Sequence, residues 1–250
     1  MQIRVMLFDL WGTLFIDDSA AVSTMERRNA ARVRMAAEAL AALGFEYDAS
    51  RIDLAFRAAA EEHAHIHAEG LDLSAEGRTV LYLRHLDPRL AGALDDEGWR
   101  RMHEAILTPA LLAPPAVMPG AVETLLQVRA LGLPLGLISN AGATPGFVLR
   151  RIMDDHGLLE HFDHTVFSDE VEVAKPSPAI FEHALDAFDV EPREAAFIGD
   201  QPVLDVLGPR NAGIWSIQIG DRSEDGIEPH ARISVLSELV PAMRTLGLLD

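Results

Sequence analysis

A chain of 250 residues with 49% hydrophobic side chains can bury a full core and is too apolar to be disordered. Its formal net charge of −18 and pI near 4.8 exclude a sequence-independent grip on nucleic acid, which needs clustered cations. The absence of cysteine excludes disulfides, a thiol nucleophile and a cysteine-built zinc site, and no apolar run reaches the roughly 18 residues that span a bilayer.

The chain opens on a strand. Ile3 to Phe8 is apolar apart from Arg4, ends at Asp9 and precedes turn-forming Gly12, which is the pattern of a buried parallel strand. The N-terminus enters this strand with no basic region or cleavage site, so a cytoplasmic location is expected. From about Ser19 to Leu43 the pattern turns helical, with Gly44 as its stop. The segments Ser50 to Ala68, Ser74 to His85 and Asp95 to Leu107 repeat that style without strand-like alternation. Together they predict an all-helical insert of roughly 100 residues, too long for a loop. Pro109, Pro114, Pro115 and Pro119 punctuate its exit.

From Gly120 strands and helices alternate. A helix to Leu131 leads into a strand from Leu133 to Ser139, a helix over 144–156 and a short strand from Thr165 to Phe167. A helix from Ser177 to Phe188 then precedes a strand from Ala195 to Ile198, helical residues near 202–211 and a strand from Ile214 to Ile219. A short strand from Ala231 to Val235 and an amphipathic helix from Ser237 to Leu246 complete the chain. This alternation predicts an α/β fold, a doubly wound parallel sheet covered on both faces. The core domain is then discontinuous, residues 1–15 and 118–250, with a helical domain of residues 16–117 inserted.

Four stretches carry the chemistry. Asp9-Leu10-Trp11-Gly12-Thr13-Leu14 places a carboxylate at a strand end, where open α/β sheets hold their ligands. Leu135 to Ser139 is an apolar strand ending in a hydroxyl and followed by Asn140. Lys175-Pro176 holds the chain's only lysine among 21 basic residues, as expected of a site that needs a compact ammonium and not a planar guanidinium. Ala196 to Ile198 runs into Gly199-Asp200, with Asp205 beyond. In this order and at these separations the four stretches resemble the motifs of the haloacid dehalogenase-like hydrolase superfamily. The resemblance covers the whole chain except the detail of residues 16–117, and it implies a Rossmann-type core with a helical cap that closes over the site and selects the substrate.

The resemblance implies Asp9 as nucleophile, a carboxylate that forms a covalent intermediate and divides one hard step into two. Thr13 bonds Asp9 or its neighbouring amides, or serves only as a turn residue. Ser139 and Asn140 would hold a transferring phosphoryl oxygen or a substrate carboxylate without adding charge. Lys175 would pair with Asp9, and Asp205 would orient Lys175 or a metal-bound water. Two close carboxylates, Asp9 and Asp200, repel unless a proton or cation lies between them, and Mg²⁺ suits that position. The implied metal ligands are Asp9, Asp200 and the backbone carbonyl of Trp11.

Trp11 is the departure. Most members carry a second Asp there, as general acid and then base, and an indole has no usable pKa for either task. The expected function is Mg²⁺-dependent hydrolysis of a small phosphorylated metabolite through an aspartyl-phosphate on Asp9. The alternatives are metal-independent dehalogenation of a 2-haloacid, a branch whose members have an aromatic residue at this position, and a catalytically weak protein that binds a ligand or partner. Against the dehalogenase stand Gly199-Asp200, Phe181 where that branch places Tyr, and the lack of an Arg-x-Lys stretch in the insert. The partner is a small, anionic substrate; nucleic acid and membrane are not expected, and the oligomeric state is open.

Three further groups are read from residue type alone. His63 and His67 share a helix face and serve a solvated or docking role, with a metal pair as the alternative. Asp169 to Glu172 is expected as a solvated loop. Arg27, Arg28, Arg32 and Arg34 are expected on an exposed helix face.

Overall fold

The computed structural model describes residues 2–17 and 23–249. Six parallel strands form one sheet: β1 Val5–Phe8, β2 Leu135–Ser139, β3 His164–Phe167, β4 Ala195–Gly199, β5 Trp215–Ile219 and β6 Ala231–Ile233, in the order β3-β2-β1-β4-β5-β6. The order reverses at β1, whose neighbours are β2 on one side and β4 on the other. Phe8 is in register with Leu137 and with Ile198. The residues that follow, Asp9, Ser139-Asn140 and Asp200, therefore emerge side by side at the carboxyl edge, at the switch point where such sheets bind ligands.

The inserted unit follows β1. It comprises α1 Thr24–Ala42, α2 Ala49–Ala68, α3 Ala75–Leu86, α4 Leu90–Ala93 and α5 Asp96–Leu107. The start of the first predicted helix, Ser19, lies outside the described residues. The residue types at the helix starts explain the observed boundaries. Ser23 forms a capping box with Glu26, Ser74 accepts the Gly77 N–H, and Asp95 accepts the Gly98 N–H, so these residues are caps and not first turns. The helices bury a cluster of their own, including Leu40, Ile52, Leu83, Met102 and Ile106. Where the chain leaves the sheet for the inserted helices and returns, Phe15–Ile16 pairs antiparallel with Ala116–Val117. Two-residue strands carry no periodic signal, and neither these nor the one-turn α4 was legible in the sequence.

Of the arginine face expected on α1, Arg27 and Arg34 are exposed as expected, and the other two are corrected. Arg28 and Arg32 are buried, the first donating Nε–H to the Ala113 carbonyl and the second to the Ile106 carbonyl. A long cationic side chain can satisfy the open carbonyls at the C-terminal end of a neighbouring helix, and α5 ends beside α1.

Helices cover both faces of the sheet: α6 Ala121–Ala130, α7 Gly146–Asp155, the one-turn α8 Ser168–Val171, α9 Pro178–Phe188, α10 Gly208–Asn211 and α11 Leu239–Thr245. Side chains alternate along β1. Met6 and Phe8 join Leu125, Leu149 and Met243 on one face, while Val5 and Leu7 join Ile180, Phe181 and Leu185 on the other. Burial on both faces is why the strand reads as an unbroken apolar run. Pro202–Leu207 forms a π-helical turn, which carries Asp205 back under the strand end.

The acidic segment after β3 is corrected too. Asp169 is buried and accepts the Gly146 N–H at the start of α7, and Glu170 pairs with Arg150. Burial pushes the Asp169 carboxyl up to about 6, against the lowering pull of Arg78 and the Gly146 amide.

Candidate active site

Lys175 joins the four motifs. Its side chain is 2% exposed, and its Nζ donates to Asp9 Oδ1 and to Asp205 Oδ1, each at 2.6 Å. The other oxygen of Asp9 accepts the Thr13 hydroxyl at 3.2 Å, so both carboxylate oxygens of Asp9 are oriented. Asp205 Oδ2 accepts the backbone N–H groups of Asp200 and Gln201, which ties the ammonium to the end of β4. Asn140 braces the lysine from the other side: its Oδ1 accepts the Lys175 N–H at 2.8 Å and its Nδ2 donates to the Lys175 carbonyl at 3.0 Å. Ser139 is fully buried, with its hydroxyl 3.3 Å from the Asn140 carbonyl.

The charges do not balance. Oxygens of Asp9, Asp200 and Asp205 lie within 4.8 Å of one another, three carboxylates against the Lys175 ammonium and the Arg222 guanidinium. Burial pushes Asp9 up to about 7; Lys175 pulls it down, and Asp205 and Asp200 push it further up. Asp200 is raised by burial and by Asp205. Burial would lower Lys175, but Asp205 and Asp9 outweigh it and its pKa is raised, so the ammonium stays charged. Asp200 Oδ1 is buried without a hydrogen-bond partner. A set of hard oxygen donors with a bare, buried carboxylate oxygen is suited to a divalent cation.

Gly12 sets how close Asp200 comes. Its φ of +77° is one that side-chain-bearing residues rarely adopt, and a Cβ there would stand 2.6 Å from the Asp200 Cγ and Oδ2. Trp11 lines the cleft beside the carboxylates. Its ring packs edge-on to Phe15 at 6.1 Å, and the Arg28 guanidinium sits 5.1 Å over it, held by Asp17 at 2.9 Å.

Sequence reasoning missed Arg222. It reaches back from the loop after β5 and pairs with Asp200 Oδ2 at 2.9 Å. Buried Gln218 directs it, donating through Nε2 to the carbonyls of both Asp200 and Arg222. Nothing local distinguishes this arginine in the sequence; only the parallel placement of β4 and β5 brings it to the site. A cleft of about 1430 Å³ opens outward from Trp11, Gly12 and Asp200, bounded by the Asn140–Thr144 loop and by α1 and α2.

The sequence matches the haloacid dehalogenase-like hydrolase family over residues 3–213. A phosphoserine phosphatase of Thermus thermophilus is 38% identical over 124 residues, 48% of this chain and 49% of that protein, so the chain spans about half the length of that relative. A glyceraldehyde 3-phosphate phosphatase of Methanopyrus kandleri is 28% identical over 235 residues, 91% of this chain and 88% of that protein. The crystal structure of a 2-haloacid dehalogenase from Pseudomonas syringae pv. Tomato DC3000 shares the fold, with a TM-score of 0.71 at 24% identity over 98% of this chain and 99% of that one. No helix among the described residues is long and apolar enough to cross a membrane. With the match running from β1 to the end of α10 and the same fold in solved relatives, the chain belongs to the haloacid dehalogenase-like hydrolase family.

Proposed function

We propose that this chain is a Mg²⁺-dependent phosphoric monoester hydrolase acting on a small phosphorylated metabolite, with Asp9 as the nucleophile. The observation that carries the reading is the site's excess of buried carboxylate over cation, with one Asp200 oxygen left bare. Similarity along most of the chain to a protein named as a phosphatase supports the same class. Asp9, Asp200 and the Trp11 carbonyl would hold Mg²⁺, which supplies positive charge against the negative charge of a phosphoryl group.

The Asp9 carboxylate attacks phosphorus, the ester P–O bond breaks, and the alcohol leaves with a proton taken from solvent. Water then attacks the phosphorus of the aspartyl-phosphate, releasing phosphate and returning the carboxylate. Thr13 fixes the rotation of Asp9, and Lys175 offsets charge at the attacking oxygen. Asp205 acts through Lys175, holding its proton and its place. Ser139 and the backbone of Asn140 would receive a phosphoryl oxygen. An indole at Trp11 gives the leaving group no proton, so substrates with acidic leaving groups react fastest.

The substrate-binding division follows the same reading: a core of residues 1–15 and 118–250, and a cap of residues 16–117. The separate apolar cluster of the helices and the strand pair at the two crossings support it. Trp11 favours a second reading, dehalogenation, because attack at carbon expels a halide that needs no proton.

Turnover of p-nitrophenyl phosphate, alkyl phosphates and 2-chloropropionate, each with Mg²⁺ or EDTA, separates the readings. Phosphatase activity abolished by EDTA is expected, with aryl esters much the faster. Trp11→Asp should speed the alkyl esters by up to about 10²–10⁴-fold, and Trp11→Ala should not. Dehalogenation that survives EDTA would replace the phosphatase reading.

A further inference from the structure

Asp72, in the turn between α2 and α3, is a buried charge far along the chain from the four motifs. His63 Nε2 stands 2.6 Å from its Oδ1, and the Leu73 N–H donates to the same oxygen. Arg78 donates to Oδ2 at 2.7 Å, His67 Nε2 lies 2.9 Å from it, and the Ser168 hydroxyl donates to it across the boundary with the sheet domain. Two histidines and a carboxylate have the chemistry of a metal site. Here the carboxylate oxygens are already taken by a guanidinium, a hydroxyl, an amide and two imidazoles, and a dication beside Arg78 would be repelled. The cluster is a polar hub.

Its partners reach the substrate side of the sheet. The Ser168 hydroxyl also accepts the Ala141 N–H, Arg78 donates to the Gly142 carbonyl, and Arg32 donates to the Ala143 carbonyl. Three successive residues of the loop after β2 are thus tied to the inserted unit or its hub. On the other flank, Leu71 pairs antiparallel with Val173, the Asp72 N–H donates to the Glu172 carbonyl, and the Ala174 N–H donates to the Gly70 carbonyl. That pairing ends one residue before Lys175, which Asn140 in turn links to the same loop.

We propose that Asp72 is a positioning residue that makes the α2–α3 turn a fixed strut of the active site. The strut holds the Asn140–Thr144 loop and the Lys175 segment against Asp9, this edge stays closed through turnover, and substrate enters from the α1 side of the cleft.

Hydrogen exchange of the whole chain tests the positioning. In Asp72→Asn, backbone amides of 140–146 and 168–177 should exchange at least ten-fold faster, while β5 keeps its protection. Unchanged loops, or an equal rise everywhere, would overturn the proposal. If Asp72→Asn does not fold, Ser168→Ala breaks the Ala141 tie and leaves those of Gly142 and Ala143, so the Ala141 amide and its immediate neighbours should exchange faster; unchanged exchange there also overturns it. The closed edge is tested by oxidising Leu71→Cys/Val173→Cys in this cysteine-free chain, since an antiparallel pair of the non-hydrogen-bonded kind has a Cα separation that suits a disulfide. The crosslinked enzyme should keep at least half the parent's turnover of p-nitrophenyl phosphate. A larger loss that reductant reverses, or failure of the disulfide to form, counts against a closed edge. The turnover arm rests on the phosphatase reading; an inactive parent condemns that reading, while the exchange arm still judges the strut.

Discussion

Alanine at Gly12 should damage both the backbone and the carboxylate beside it, and the two effects can be separated. The first cost is conformational: at φ +77° an L-residue loses about 1–2 kcal/mol relative to glycine. The second is steric. The new Cβ would stand 2.6 Å from Asp200, whose carboxylate must retreat by about 0.8 Å to reach ordinary contact at 3.4 Å. Asp200 cannot swing freely, because Arg222 holds one of its oxygens and Asp205 holds its N–H. Overpacking of this kind adds about 1–3 kcal/mol, for a total of about 2–5 kcal/mol. Gly44→Ala is the control, with φ +82° and nothing within 4 Å of the added carbon, so it shows the conformational cost alone. Urea unfolding of both variants gives the stabilities, and calorimetric Mg²⁺ titration reads the displaced carboxylate. Gly12→Ala should bind Mg²⁺ about 10–100-fold more weakly, as expected when a ligand's surroundings are disturbed, and Gly44→Ala should match the parent. Equal destabilisation of the two variants with equal Mg²⁺ affinity would refute the packing of Gly12 on Asp200.

Lys175→Arg should lower kcat by more than ten-fold despite keeping the charge, because a planar fork cannot place one donor between Asp9 and Asp205 in a fully buried pocket; steady-state kinetics showing parent-like kcat would mean the lysine is replaceable. Arg222→Ala should weaken Mg²⁺ binding about 10-fold by freeing Asp200, and calorimetry showing tighter binding would make Arg222 a competitor of the metal and not its aligner. Burial outweighs the pull of Asp72 and lowers the His63 pKa, so the unfolded chain takes up that proton first. The neutral histidine therefore contributes stability above its unfolded value of about 6.5, and this is lost as the pH falls from there through the folded value. Melts between pH 7 and 5 should show a steeper fall in Tm for the parent than for His63→Gln, and equal slopes would reject the assignment.

The sheet, the inserted helices and the four charged residues gathered at the sheet's carboxyl edge were all readable from local pattern. A short unbroken apolar run such as Val5 to Phe8, closed by Asp9 and Gly12, reads as a strand buried on both faces, and glycine, serine and aspartate mark the ends of the elements that follow. Asp9, Lys175, Asp200 and Asp205 were legible because each stands beside a local signal, a strand end or the chain's one lysine. What joins segments far apart in the chain left no such signal. Arg28 and Arg32 read as surface charge because residue type does not record which carbonyls another helix leaves open. Asp169 read as a solvated loop because its partner is an amide at the start of α7, 23 residues away. Arg222 and Asp72 act through carboxylate and guanidinium pairs brought together by strand order and by docking of the inserted unit. Periodicity and capping are short-range and are written into neighbouring residues. The pairing of buried charges is a three-dimensional requirement, and only the tertiary structure decides which of many chemically equivalent arginines and aspartates meet.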